Sequence, residues 1–146
     1  MPIKTAAVGK EWPAITYQVG REKIKEYARA LEIDNRVHFD VEAAREAGFR
    51  DVVAPPMFAV VYSGPALAPV LFDPEVGINL ATMVHGGQVF EWGEPVCSGD
   101  EITTTAKCVS IEEKDGKGFY VFETVSVNQD GAEVVRGTWT NIVRGV

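Results

Sequence analysis

Residues 54–72 read APPMFAVVYSGPALAPVLF, a run with no charge and with apolar residues at nearly every position. A helix that is apolar all round has no face to give to water, so it must be enclosed by lipid or by the rest of its own chain. Lipid is a poor fit, because the run falls short of the ~20 residues that span a bilayer and Pro65 and Pro69 interrupt it. Pro55 and Pro56 suit the start of a helix, where a missing N–H costs nothing. Gly64 and Pro65 predict a break or kink, with a weaker second segment beyond it. The chain therefore needs a surface that wraps one central helix.

That surface follows in the sequence. From about Ile78 onward, VHGGQVFEWGEPV, DEITTTAKCVSIEEKDG, KGFYVFETVSVNQDG and AEVVRGTWTNIVRG alternate apolar with polar and are rich in Val, Thr and aromatics. Asp115-Gly116 and Asp130-Gly131 mark hairpin turns. Residues 12–19, WPAITYQV, add a short N-terminal strand. Ile24, Tyr27, Ala28 and Leu31 recur at helical spacing after Gly20, and VEAAREAGF forms a second, short helix stopped by Gly48. The expected class is α+β: one domain over residues 1–146, with an antiparallel sheet wrapped around one apolar helix.

Charge and composition exclude several functions. With 46% hydrophobic and 24% charged residues the chain is an ordinary globular one, and at 146 residues it can bury about two-thirds of its unfolded surface. A net charge of −7 without a Lys/Arg cluster argues against nucleic acid, though a few local cations would still hold a phosphorylated ligand. Cys97 and Cys108 have no metal-ligand spacing, two histidines do not complete one, and a disulfide between them has little support. No glycine-rich phosphate fingerprint occurs, so neither metal nor cofactor is expected. MPIKTAAVGKEW lacks the apolar core of a signal peptide, and the expected location is cytoplasmic, with no membrane contact.

The chemistry concentrates in LEIDNRVHFD, residues 31–40, between the two amphipathic helices. An imidazole here, with a type value of about 6.5, is a natural base at neutral pH. Asp40 reads as the N-cap of the second helix, and Asp34 and Asn35 have an ordinary reading as turn residues.

The segment and its surroundings resemble the MaoC-like family of (R)-specific enoyl-thioester hydratases and 3-hydroxyacyl-thioester dehydratases, in the branch related to the dehydratase domain of fatty acid synthase. The family signature is an aromatic, then G-D-x-N-P, an aliphatic, His, and a small residue six further on. Tyr27, Asn35, Val37, His38 and Ala44 match it, while GFRDVVAPPMF and EWGEPVCSGDEIT resemble the flanking segments, so the likeness runs from about Trp12 to Val143. It implies a hotdog fold, an acyl-CoA or acyl-carrier-protein thioester as ligand, and a homodimer or a heterodimer with a homologous hotdog subunit. It also implies His38 with Asp34 as catalytic candidates, and Asn35, Met57, Phe58 and His85 as substrate-binding candidates.

The chain departs from the pattern at the positions that matter most. Ile33 stands where the family has its catalytic Asp, Glu32 where it has Gly, and Arg36 where it has Pro. Pro55 and Pro56 replace a His-Gly whose backbone N–H holds the thioester oxygen, leaving Met57 or Phe58 to supply a donor. Asp34 is one position late and serves as the acid only if the loop is remade. Three readings follow. The favoured one is an acyl-binding half paired with a homologue bearing the complete Asp/His dyad. The second is a self-sufficient hydratase using His38 and Asp34. The third is a hotdog thioesterase, weakened by the lack of any acid on the central helix before Asp73.

Overall fold

A computed structural model of the chain describes residues 2–146. The chain begins with β1 (Glu11–Gln18), α1 (Arg21–Ala30), a 3-10 turn over Arg36–His38 and α2 (Val41–Glu46). The apolar run forms a helix in pieces: a 3-10 turn at Pro56–Phe58, α3 (Ala59–Ser63), a second 3-10 turn at Gly64–Leu67, and α4 (Ala68–Leu71). Four long strands follow: β2 (Met83–Trp92), β3 (Glu101–Lys114), β4 (Lys117–Val127) and β5 (Glu133–Arg144). They make one antiparallel five-stranded sheet in the order β1-β3-β4-β5-β2. The sheet and helix are those anticipated from the sequence.

The break expected at Gly64–Pro65 divides the core. Before it, Phe58, Ala59 and Tyr62 pack with Ile24, Val52, Val96, Ile102, Val134 and Val135. After it, Ala66, Leu67 and Val70 pack with Trp12, Cys108, Tyr120, Phe122, Trp139 and Val143. The run is more apolar than its burial requires, because Met57 is exposed and Phe72, at the far end, is 72% exposed. Both cysteines are buried and unbridged, and burial pushes both thiols up. Among the described residues no helix is long and apolar enough to cross a membrane.

Turn chemistry sets the register. Asp115 and Gly116 both have positive φ (53° and 70°), the backbone of a type I′ hairpin, and Lys114 pairs directly with Lys117. The Asp130-Gly131 connection is longer, with the Asn128 side chain accepting from the N–H groups of Asp130 and Ala132. The two sheet edges differ. β1 is short and carries Pro13 and a register shift, devices that blunt an edge. β2 runs ten residues, irregular only around Gly86, and exposes Val84, Val89 (59%) and Trp92 (50%).

α1 ends in a Schellman motif. The N–H of Ile33 donates to Ala28 O (2.9 Å), that of Glu32 to Arg29 O (3.0 Å), and Glu32 sits at φ 56°. A left-handed conformation costs a non-glycine residue about 1–2 kcal/mol. Glu32→Gly is therefore expected to stabilise the fold by about 1 kcal/mol, raising the thermal midpoint by roughly 3 °C, as scanning calorimetry would read directly.

Candidate functional site

The segment from Leu31 to Asp40 is shaped by its own short-range bonds. Asn35 caps the 3-10 turn, its side-chain oxygen accepting from Val37 N–H at 3.1 Å. Asp40 caps α2, accepting from Glu42 N–H (2.9 Å) and Ala43 N–H (3.4 Å), and it pairs with exposed Arg36. The Arg36 guanidinium, then the capping N–H groups, hold the Asp40 carboxyl below its usual range. Asp40 is thus a structural cap.

His38 is buried at the end of this turn, and its Nδ1 lies 2.6 Å from the Val53 carbonyl oxygen. A carbonyl only accepts, so Nδ1 carries a proton, and the tautomer this selects has Nε2 as its base or acceptor atom. Val53 returns a bond from its own N–H to Val37 O (3.0 Å), fixing the turn against the segment that leads into the central helix.

Beside His38 lies a cavity of about 440 Å³. Four stretches line it: Asn35 with Val37 and His38, Val53 to Pro56, Trp92 to Val96, and the single residues Phe49, Tyr62 and Val134. The lining is largely apolar, as a hydrocarbon ligand requires. Gly93 makes the Trp92–Val96 wall possible: a Cβ there would stand 2.1 Å from Glu133 O. The last carboxylate in the cavity's reach is Glu94, exposed on the β2–β3 connection.

Of the residues singled out from the sequence, His38 and Asn35 meet at the cavity. Asp34 is exposed and off its wall, and Ile33 is engaged in closing α1. Phe58 is fully buried against Tyr17, Tyr27 and Tyr62, and its N–H is committed to Pro55 O (2.9 Å). Met57 is exposed and not on the wall. His85 lies on β2, stacked on Trp139 (centroids 5.7 Å apart) with Nε2 3.0 Å from Gly87 O, away from the cavity. Sequence reasoning missed Tyr62 and the Trp92–Val96 wall as lining. The EWGEPV stretch was the available signal, since a Gly and a Pro between two strands mark a connection that turns over something. Among the described residues no His, Cys, Asp or Glu group is placed to hold a metal ion.

One buried carboxylate supports the cavity from behind. Asp100 is fully buried and accepts from Cys97 N–H (2.8 Å), Arg50 (2.5 Å) and the Gln129 amide (2.9 Å). Burial pushes its carboxyl up, but the Cys97 N–H, Arg50 and Gln129 together outweigh burial and hold it below the usual range.

Several known proteins are similar to this chain. Residues 6–136 match the family described as FAS1-like, dehydratase domain region. A UPF0336 protein of Clavibacter michiganensis subsp. michiganensis is 40% identical over 146 residues, covering 99% of this chain and 98% of its own. Among solved structures, a MaoC-like dehydratase superposes with a TM-score of 0.87 at 28% identity, over 97% of this chain; this chain spans only 43% of that one. A chain of the C-terminally truncated HadBC complex from Mycobacterium tuberculosis, a 3R-hydroxyacyl-ACP dehydratase, gives 0.83 at 28% identity, covering 96% of this chain and 99% of that one.

Because its folded carboxyl is lowered, Asp100 contributes stability in full above the unfolded value of about 3.9, and loses it as pH falls below that. Asp100→Asn is expected to cost roughly 2–4 kcal/mol at neutral pH in urea titrations. The gap to the parent should narrow below about pH 4.

Proposed function

This chain belongs to the FAS1-like dehydratase-region family, and from that premise we propose that it is the acyl-binding half of an (R)-specific enoyl-thioester hydratase/3-hydroxyacyl-thioester dehydratase. Its partner is a homologous hotdog chain carrying the complete Asp/His dyad, and the ligand is an acyl-CoA or acyl-carrier-protein thioester. One observation carries this reading: the loop that presents His38 to the cavity brings no carboxylate with it. Hydration needs a water deprotonated for attack on the β-carbon and held in place while charge gathers on the thioester oxygen. Ile33 offers nothing to such a water, and Asp34 points its exposed carboxylate elsewhere. Pro55 and Pro56 at the start of the central helix have no N–H to meet the oxygen, and the Phe58 N–H is committed to Pro55 O, which leaves only that of Met57. What remains intact is an apolar cavity of a size suited to a small ligand.

The open β2 edge supports a second chain. Its exposed Val84, Val89 and Trp92 offer strand pairing and apolar contact. The similar HadBC protein is itself a complex, acting on a hydroxyacyl-ACP, which favours the same arrangement here.

The isolated chain should hydrate a short enoyl-CoA barely above background, and a homologue with the full dyad should restore turnover. In that complex His38→Ala should change the rate less than about three-fold, whereas losing the partner's dyad histidine should remove activity by about 10²-fold or more. Efficient turnover by the chain alone, with His38→Ala and Asp34→Ala each costing about 10²-fold, would establish the self-sufficient enzyme instead. Val89→Lys, placing a charge on the β2 edge, should weaken association in sedimentation velocity while leaving the fold intact.

A further inference from the structure

Tyr62 is a polar group lining the cavity that nothing in the protein uses. It lies on α3 and is 3% exposed, and it lines the cavity with Val53, Val96 and Val134. Its ring packs on Phe58 with centroids 6.2 Å apart. Among the described residues its hydroxyl has no hydrogen-bond partner, although nearby buried hydroxyls do: Ser63 donates to Ala59 O, and Thr104 pairs with Ser126 at 2.7 Å. Among the described residues the fully enclosed polar atoms without partners belong to Gln88 and Asn141, not to Tyr62, so the Tyr62 hydroxyl keeps an open side onto the cavity that its residue lines.

We infer that the Tyr62 hydroxyl is a ligand-binding group, donating a hydrogen bond to an oxygen of the acyl thioester in this cavity. The two ligand oxygens of suitable chemistry are the thioester carbonyl and a 3-hydroxyl. Both are good acceptors, and with no N–H on Pro55 or Pro56 and the Phe58 N–H committed to Pro55 O, the helix start offers them at most the Met57 N–H. Burial pushes the phenol well above its ordinary range, so it keeps its proton at every physiological pH and acts only as a neutral partner. A site built around one buried donor discriminates against ligands that leave that donor unpaired. Tyr62 is then a specificity-determining residue for oxygenated acyl chains, resting on the acyl-binding role proposed above.

The test is calorimetric titration of the full chain and of Tyr62→Phe with a 3-hydroxyacyl-CoA and with the saturated acyl-CoA of the same length. Tyr62→Phe should bind the 3-hydroxyacyl-CoA roughly ten-fold more weakly. An equal loss with the saturated ligand assigns the bond to the carbonyl, and a loss confined to the hydroxylated ligand assigns it to the 3-hydroxyl; either supports the inference. The ligand-free variant should melt no lower than the parent, which separates a binding role from a packing one. Unchanged affinity for both ligands, against a parent that binds them, overturns the role of Tyr62 and leaves the acyl-binding function standing. A parent that binds neither ligand overturns both.

Discussion

Everything in this molecule depends on enclosing a helix that has no polar face. The sheet curls around it, and the break at Gly64 lets its two halves serve two packed clusters instead of one straight cylinder. Phe58, Ala59 and Tyr62 belong to one, and Ala66, Leu67 and Val70 to the other. The cavity occupies the part of the first cluster that side chains do not fill. It is walled by the same segments that carry the strained or constrained positions: the turn at His38, the paired prolines, and the glycine at the end of β2.

Much of this was legible before any coordinates. The apolar run, its break, the strand alternation and the Asp-Gly turn at residue 115 all obey local rules, and local rules survive folding. Asp40 as a cap belongs to the same class, because capping is a bond between neighbours. The cavity was less legible, because part of its wall comes from a connection some fifty residues downstream of His38, and periodicity says nothing about which connection faces which helix. Phe58 and His85 illustrate the limit. Both residue types suit a ligand site, but Phe58 is drawn into an aromatic cluster and His85 onto the face of Trp139. Chemical type indicates what a side chain is able to do, and only packing decides what it meets.

The loop around His38 separates two properties that the sequence presents together. Orientation of the imidazole is secured by a backbone carbonyl, Val53 O, and so does not need a carboxylate. The position five residues before His38, Ile33, is engaged in closing α1. Ile33 bonds through its N–H to Ala28, while Glu32 takes the left-handed conformation that a glycine would adopt more easily. The result is a histidine held at the cavity by backbone bonds, on a loop that places no carboxylate on the cavity wall.

Asp100 carries a consequence of a different kind. Its carboxylate joins Arg50 from the segment before the central helix, Cys97 from the β2–β3 connection and Gln129 from the β4–β5 turn. Three stretches far apart in the chain therefore share one buried anchor and form a single mechanical unit. Their lengths are not independent: an insertion in one moves an anchoring group that the other two rely on. For anyone grafting a loop from a relative into this scaffold, the unit of exchange is the set of three.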